Sequence, residues 1–341
     1  MSILVTGGAG YIGSHFIHTA IDTGREQLVV VDNLSTGARN AVPDHIPFYH
    51  TNVADRDGIS RIIQRHQVKT IVHFAGSIIV PESVANPLKY YSNNTSASKN
   101  LIETAIAQGV ENFVFSSTAA VYGHASSEPI DETHPIDPIS PYGASKYMTE
   151  RMLTDVGKAH PLNHAILRYF NVAGADPFGR TGQRSPVATH LIKRALLAAT
   201  GQTDAISVFG TDYDTPDGTA IRDFIHVSDL ARAHVATIGY LENGGESQVF
   251  NCGYGKGNSV LDVVECVKRV SGQEFDVKLE PRRAGDASEI VADPKRLREK
   301  LDWFPERNNL DDIVADALAW EKTRLLDDRL GEEPQNQSSA A

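Results

Sequence analysis

Two groups of residues have the types and spacing to do chemistry. One is Thr6-Gly7-Gly8-Ala9-Gly10-Tyr11-Ile12-Gly13 near the amino end; the other is Tyr142, followed four positions later by Lys146. Residues i and i+4 share a helix face, so in a helix opened by Pro141 the phenol and the ammonium project together. A phenol with an ordinary pKa of about 10 is a poor base at neutral pH, but a neighbouring cation favours its ionised form. Such a tyrosine can take the proton of an alcohol while the carbon beneath gives up hydride to a nicotinamide. Thr118 follows Ser116-Ser117 at the end of an apolar run, where its hydroxyl can bridge the alcohol oxygen and the phenol. Alone, Tyr-x-x-x-Lys equally describes a buried tyrosine beside a snorkelling lysine. It gains meaning behind a dinucleotide fingerprint.

The glycine segment supplies that fingerprint. Residues 3–5 are a short apolar run that suits a strand, and residues 16–20 continue as a helix. Gly7, Gly10 and Gly13 let the backbone between them turn tightly and approach a pyrophosphate at the helix amino end. The second strand, 28–31, ends in Asp32, placed to accept hydrogen bonds from an adenosine ribose. A 2'-phosphate would be repelled there, so the expected cofactor is NAD rather than NADP. Arg39 could serve a phosphate, but Asp32 stands first in line.

The elements that must hold these groups alternate. Strands are expected over 3–5, 28–31, 70–74, 112–116 and 165–168, with helical patterns such as 59–66 and 95–107 between them. Alternation of this kind predicts an α/β fold: a doubly wound parallel sheet of Rossmann type, with ligands beyond the carboxyl ends of its strands. Those ends carry Asp32, Phe74-Ala75-Gly76, Ser116-Ser117-Thr118 and Tyr169-Phe170-Asn171. Turn-rich stretches at 173–185 and 210–219 then begin a smaller α/β lobe. The expected division is a cofactor domain over 1–171, to which 226–251 returns with a helix at 227–241 and a strand at 248–251. A substrate domain covers 172–225 and 252–330, with helical patterns at 260–270 and 311–324. Residues 331–341 have the composition of a disordered tail.

Composition narrows the partners. With 341 residues the chain can bury a sizeable core, and 32 basic against 43 acidic residues give a net charge of -11. That balance argues against nucleic acid and requires local groups to hold any anionic substrate. Cys252 and Cys266 make neither a disulfide framework nor a metal site and are expected as buried thiols, and the 13 histidines show no ligand spacing. His226, close behind Arg222-Asp223, is expected to be structural. No metal is expected. No window reaches the roughly 20 apolar residues of a membrane span, and the amino end carries no secretory pattern, so a reducing cytoplasm is the expected location.

Several longer motifs make the chain resemble the extended short-chain dehydrogenase/reductases, within them the UDP-sugar 4-epimerases. They are Val31-Asp32-Asn33-Leu34, His73-Phe74-Ala75-Gly76, Tyr90-Tyr91-Ser92-Asn93-Asn94, Phe115 to Gly123, Leu167-Arg168-Tyr169-Phe170-Asn171, Asp217 to Val227, Gly257-Asn258-Ser259-Val260 and Pro281-Arg282-Arg283-Ala284-Gly285-Asp286. The resemblance runs from Ser2 to about Trp320. It implies an isomerase that interconverts UDP-glucose and UDP-galactose by transient oxidation at C4, a UDP-hexose partner, and a homodimer formed through helices 95–107 and 142–155. Thr118, Tyr142 and Lys146 would be catalytic. Gly7, Gly10, Tyr11, Ile12, Gly13, Asp32, Asn33, Asn52, Val53, Phe74, Ala75, Gly76, Asn93, Ser116 and Tyr169 would join Tyr142 and Lys146 in binding NAD. Asn171, His190, Leu191, Phe209, Arg222, Arg283, Asp286 and Ile290 would join Thr118 in binding the UDP-sugar, and two guanidiniums suit a diphosphate in charge and fork geometry.

The chain departs from the family pattern in four places. Asn52 stands where many relatives have an aspartate near adenine, and its carbonyl can accept the same bond. Ile78 replaces a lysine that some relatives place near the cofactor, which loosens the expected grip on NAD. His190 replaces an asparagine before Leu191, and Ile290 a bulky tyrosine facing the sugar. Other readings are a UDP-pentose or UDP-uronate 4-epimerase, a 4,6-dehydratase or decarboxylase, and a silent NAD-binding protein. Many dehydratases carry Thr-Asp-Glu where this chain has Thr118-Ala119-Ala120, and Tyr142 and Lys146 are both intact.

Overall fold

The computed structural model describes residues 1–124, 129–184, 189–283 and 286–331, without the side chains of 327–331. Ala284 and Gly285 of the arginine-pair motif, and the tail beyond 331, lie outside these residues; Gly331 itself closes the last helix.

The first half runs β1 (Ser2–Thr6), α1 (Tyr11–Asp22), β2 (Leu28–Asp32), β3 (Phe48–His50), α2 (Arg56–His66), β4 (Val68–His73), α3 (Val80–Ala85), α4 (Pro87–Tyr90), a π-turn (Tyr91–Ser96), α5 (Ala97–Ala107) and β5 (Asn112–Thr118). Then come α6 (Pro141–Ala159), β6 (Asn163–Tyr169), β7 (Asn171–Ala173), α7 (Leu191–Ala199), β8 (Ala205–Phe209), β9 (Ile221–His226), α8 (Val227–Glu242) and β10 (Gln248–Cys252). The chain ends with β11 (Gly257–Ser259), α9 (Val260–Ser271), β12 (Asp276–Glu280), β13 (Glu289–Ile290), α10 (Lys295–Leu301) and α11 (Leu310–Gly331).

Seven strands form one sheet in the order β3-β2-β1-β4-β5-β6-β10, all parallel. This is the doubly wound Rossmann arrangement expected from the alternation, and its order reverses between β1 and β4, where such sheets open a crevice. A strand covered on both faces needs a continuous apolar run, and β2, Leu-Val-Val-Val-Asp, is buried at every position. One core, containing Val5, Phe16, Val30 and Leu230, lies on the α1 and α8 face; another, containing Leu4, Val31, Ile59, Leu101 and Leu153, lies on the α2, α5 and α6 face.

Beyond β6 the chain builds smaller sheets. β9 pairs with β7, β11 and β13, and β8 pairs with β12. Asn171 opens β7 and pairs in register with Phe224 of β9, so the last residue of the expected first domain already belongs to the small sheet. His226 is wholly buried, its Nδ1 accepting from the Ser228 N–H at the start of α8 and its Nε2 lying 3.1 Å from Asp316. Both cysteines are free and buried.

Candidate active site

The glycine loop joins β1 to α1. Gly7 has φ +70°, and a Cβ there would lie 2.6 Å from the Ala75 nitrogen, so the loop rests directly on the Phe74-Ala75 backbone that follows β4. Only glycine meets both demands. Gly10 occupies the N-cap of α1, no side chain caps that helix, and its first turn holds no acid. The Tyr11 and Ile12 amides therefore sit at an uncapped, positive helix end that suits a pyrophosphate. The Tyr11 side chain points elsewhere, its hydroxyl donating to the Gly174 carbonyl at 2.7 Å.

Asp32 ends β2 beside this loop. Its Oδ2 accepts from the Ala9 N–H at 2.9 Å and its Oδ1 from the Leu34 N–H at 2.8 Å. Burial raises the carboxyl pKa, and those two bonds oppose the rise. An oriented carboxylate here fits a ribose diol and repels a 2'-phosphate. Uncapped helix, glycine contact and acid together fit NAD.

The other expected cofactor residues are spread around this cradle. Asn33 is exposed, its Oδ1 accepting from the Ser35 N–H; the Asn52 Oδ1 accepts from the Ala54 N–H at 2.9 Å, a local turn that uses one of its two lone pairs. Val53 is buried in the core on the α2 face, which leaves its backbone alone for a ligand. A Cβ at Gly76 would lie 3.2 Å from the Asn94 Oδ1 and 3.5 Å from the Lys146 Nζ. Asn93 donates to the Ser77 hydroxyl at 3.0 Å, and Asn94, which sequence reasoning missed, pins the same loop through the Ser77 N–H and C=O and donates to Ser145 on α6.

The helix carrying Tyr142 starts for local reasons. Ser140 accepts from the Gly143 N–H at 3.2 Å as the N-cap, and Pro141 fills the first turn. Tyr142 and Lys146 face the carboxyl end of β5. Thr118 bonds to the Tyr142 phenol, which is partly buried, while the Lys146 Nζ donates to the Ser116 carbonyl at 2.8 Å over the Phe115 ring. Tyr169, on β6, has its hydroxyl bonded to the His234 ring. The three catalytic candidates thus converge. Their electrostatics correct one expectation: the Tyr142 pKa is raised by burial, with the Thr118 bond opposing, rather than lowered. Spacing placed the lysine on the right face but could not reveal burial. Burial also brings the Lys146 ammonium down to about 8, against the Glu150 carboxylate.

The substrate candidates cluster on the small sheets. Arg222 and Ile290 are register partners on β9 and β13, and Ile290 packs against a small apolar cluster that includes Ala119, Phe170 and Ala292. The Arg222 guanidinium donates to the Ile221 and Ala287 carbonyls. Arg283 lies 3.8 Å over the Phe209 ring, covering one face of an aromatic expected to meet uracil. Asp286 acts on Tyr213, with Arg282 and Arg222 nearby. His190 is the N-cap of α7 without a side-chain cap bond, and its ring turns to the Val172 backbone. It leaves the Leu191 amide in the first turn of α7.

Residues 3–253 match the NAD dependent epimerase/dehydratase family. The chain belongs to that family. A UDP-glucose 4-epimerase of Azospirillum brasilense is 53% identical over 321 residues, spanning 94% of this chain and 92% of that one. Among solved structures, the Brucella ovis UDP-glucose 4-epimerase in complex with NAD superposes with TM-score 0.91 at 40% identity, covering 93% of this chain and 97% of that chain. The UDP-Glc/GlcNAc 4-epimerase of Campylobacter jejuni does so with TM-score 0.84 at 48% identity, covering 94% and 99%. This family member shares their fold along nearly its whole length.

Proposed function

We infer that the protein is an NAD-dependent 4-epimerase that interconverts UDP-glucose and UDP-galactose. The observation that carries the reading is the meeting of Thr118, Tyr142 and Lys146 at the carboxyl end of β5, with only β4 between it and the glycine cradle after β1. When bound, NAD supplies reversible acceptance of the hydride at sugar C4. Tyr142 takes the C4 hydroxyl proton and later returns it, Thr118 holds the hydroxyl and the phenol together, and Lys146 supplies the positive charge that an ionised phenol needs. Arg222, Arg283, Phe209 and Asp286 anchor the UDP, so the flat 4-keto sugar can turn over between the two half-reactions. No charged side chain stands at Ala119 or Ala120 to drive loss of water, which weighs against a dehydratase.

We also assign residues 1–171 and 226–251 to cofactor binding and residues 172–225 and 252–330 to the UDP-sugar. A cytoplasmic homodimer through α5 and α6 fits the 44% exposure of Met148 on α6. No helix among the described residues is long and apolar enough to cross a membrane.

Incubation of the purified protein with UDP-galactose tests the reading: UDP-glucose should form without a matching yield of NADH. NADH rising in proportion to product would replace the epimerase by a dehydrogenase. Ile78 is 53% exposed and cannot donate a hydrogen bond, so added NAD should raise the measured rate. A full complement of retained NAD and a rate indifferent to added NAD would contradict the weak grip.

Ile290 sets the expected substrate range. It has no phenol and less bulk than the tyrosine of many relatives, which leaves partial room for an N-acetyl group at C2. UDP-N-acetylglucosamine should turn over slowly but detectably, a reading supported by the Campylobacter jejuni relative. Ile290→Tyr should remove that activity and spare the plain hexoses. Retained N-acetyl turnover in the variant would show that Ile290 is not the gate.

A further inference from the structure

The sequence spacing that singles out Tyr142 and Lys146 continues one step further. Glu150 follows Lys146 by four positions on the same face of α6, and Glu150 and Lys146 are each 3% exposed. Three bonds from the Arg168 guanidinium clamp the carboxylate, from Nε to Oε1 and Oε2 at 3.1 and 3.2 Å and from Nη2 to Oε2 at 2.6 Å; the Ser117 hydroxyl donates to Oε1. The arrangement continues inward: Arg168 Nη1 donates to the Tyr122 hydroxyl at 2.8 Å, Tyr122 to the Asn251 Oδ1 at 2.7 Å, and Asn251 Nδ2 to the Ile130 carbonyl at 2.8 Å. Ser117 and Arg168 are register partners on β5 and β6, so the sheet itself fixes both clamps.

We propose that Glu150, held by Arg168 and Ser117, is a positioning residue that keeps the buried Lys146 ammonium charged and in place beside Tyr142. This rests on the catalytic reading of Tyr142 and Lys146 given above. Loss of solvent disfavours an ammonium, and a nearby anion offsets that loss. The groups facing Lys146 are few. From β5 come the Ser116 carbonyl and the Phe115 ring, and from α6 come Tyr142 and Glu150. From β4 comes His73, which burial and the Lys146 charge push down to about 3, so it is neutral. Arg168, on β6, is paired with Glu150. Glu150 is the one carboxylate of this set. A carboxylate free to rotate would pair directly with Lys146 and pull it from Tyr142; the clamp prevents that while leaving the charge in range.

The test is the pH profile of kcat in Glu150→Gln, whose amide keeps the shape and whose single oxygen can still accept from Ser117 and the Arg168 Nε. Removing the anion should move the alkaline limb, set by Lys146, toward acid by about one pH unit, with about a fivefold loss at the midpoint of the original limb, about tenfold well above it, and little change well below it. Glu150→Asp, which keeps the charge, should keep the limb where it is. Should Glu150→Gln fail to fold, the double variant Glu150→Gln/Arg168→Gln removes the buried guanidinium together with its carboxylate and should show an acid shift in the same direction but smaller, because loss of the Arg168 charge offsets part of the lost anion. A uniform fall at every pH, or an unmoved limb in whichever of these variants folds, overturns the proposal. Tyr142→Phe, run alongside, separates the two levels: if it is inactive while the limb is unmoved, only the role of Glu150 fails, whereas an active Tyr142→Phe removes the catalytic reading itself.

Discussion

Tyr142→Phe should lower epimerisation by about a hundredfold to ten-thousandfold, the usual range for losing a positioned acid–base group, while the affinity for UDP stays nearly unchanged. The reason is geometric. The phenolic oxygen is bonded to Thr118 at the end of β5, whereas the proposed UDP anchors, Arg222, Arg283 and Phe209, stand on or beside the small sheets. The substituted ring keeps the buried volume, so the fold should survive. Thr118→Ala should do less harm, because the base remains. Steady-state rates paired with a UDP binding titration check both statements. Near-normal turnover in Tyr142→Phe would remove the proposed base, and a parallel loss of UDP affinity would mean that the substitution had disturbed the site at large.

The second large effect is expected at Gly13. A Cβ there would lie 2.3 Å from the Gly7 carbonyl oxygen and 2.8 Å from the Gly8 Cα, both backbone atoms. Neither can rotate away. Gly13→Ala must therefore open the loop or tilt the start of α1, and either change spoils the alignment of the Tyr11 and Ile12 amides with a pyrophosphate. The purified variant should carry almost no NAD, and its activity should fall by two or more orders of magnitude, with partial recovery at high added NAD. Wild-type NAD content would show that the loop has more slack than its contacts indicate.

How much of this was legible in the chain depended on whether the signal was local. β2 could be read at once, because a run of valines buried on both faces has no other easy reading. The helix after the glycine loop was expected over 16–20 yet begins at Tyr11, since glycine is a poor helix former and Gly13 hides a turn that the ligand site requires. The helical pattern expected from residue 95 is preceded by the π-turn at Tyr91–Ser96, where Asn94 turns its amide to the Ser77 backbone. The short strands of the second lobe left little trace. β12 is exposed at four of its five positions, and β13 is two residues long, so their place is decided by β8 and β9, far away in sequence. The catalytic set followed a legible logic of types and spacing. Its burial did not, nor did the Glu150–Arg168 clamp, although Tyr-x-x-x-Lys-x-x-x-Glu was there to be seen. Recognising that last step needed the register of β5 against β6.

The most direct measurement follows the hydrogen at C4. UDP-galactose carrying deuterium at that carbon is incubated with the protein and NAD in ordinary water, and the UDP-glucose formed is examined by mass spectrometry and NMR. Oxidation at C4 with return of the same hydrogen to the opposite face predicts deuterium retained at C4 of the product, with no hydrogen taken from solvent. Product that has lost its deuterium to water would contradict that course and point to removal and replacement of a C4 proton.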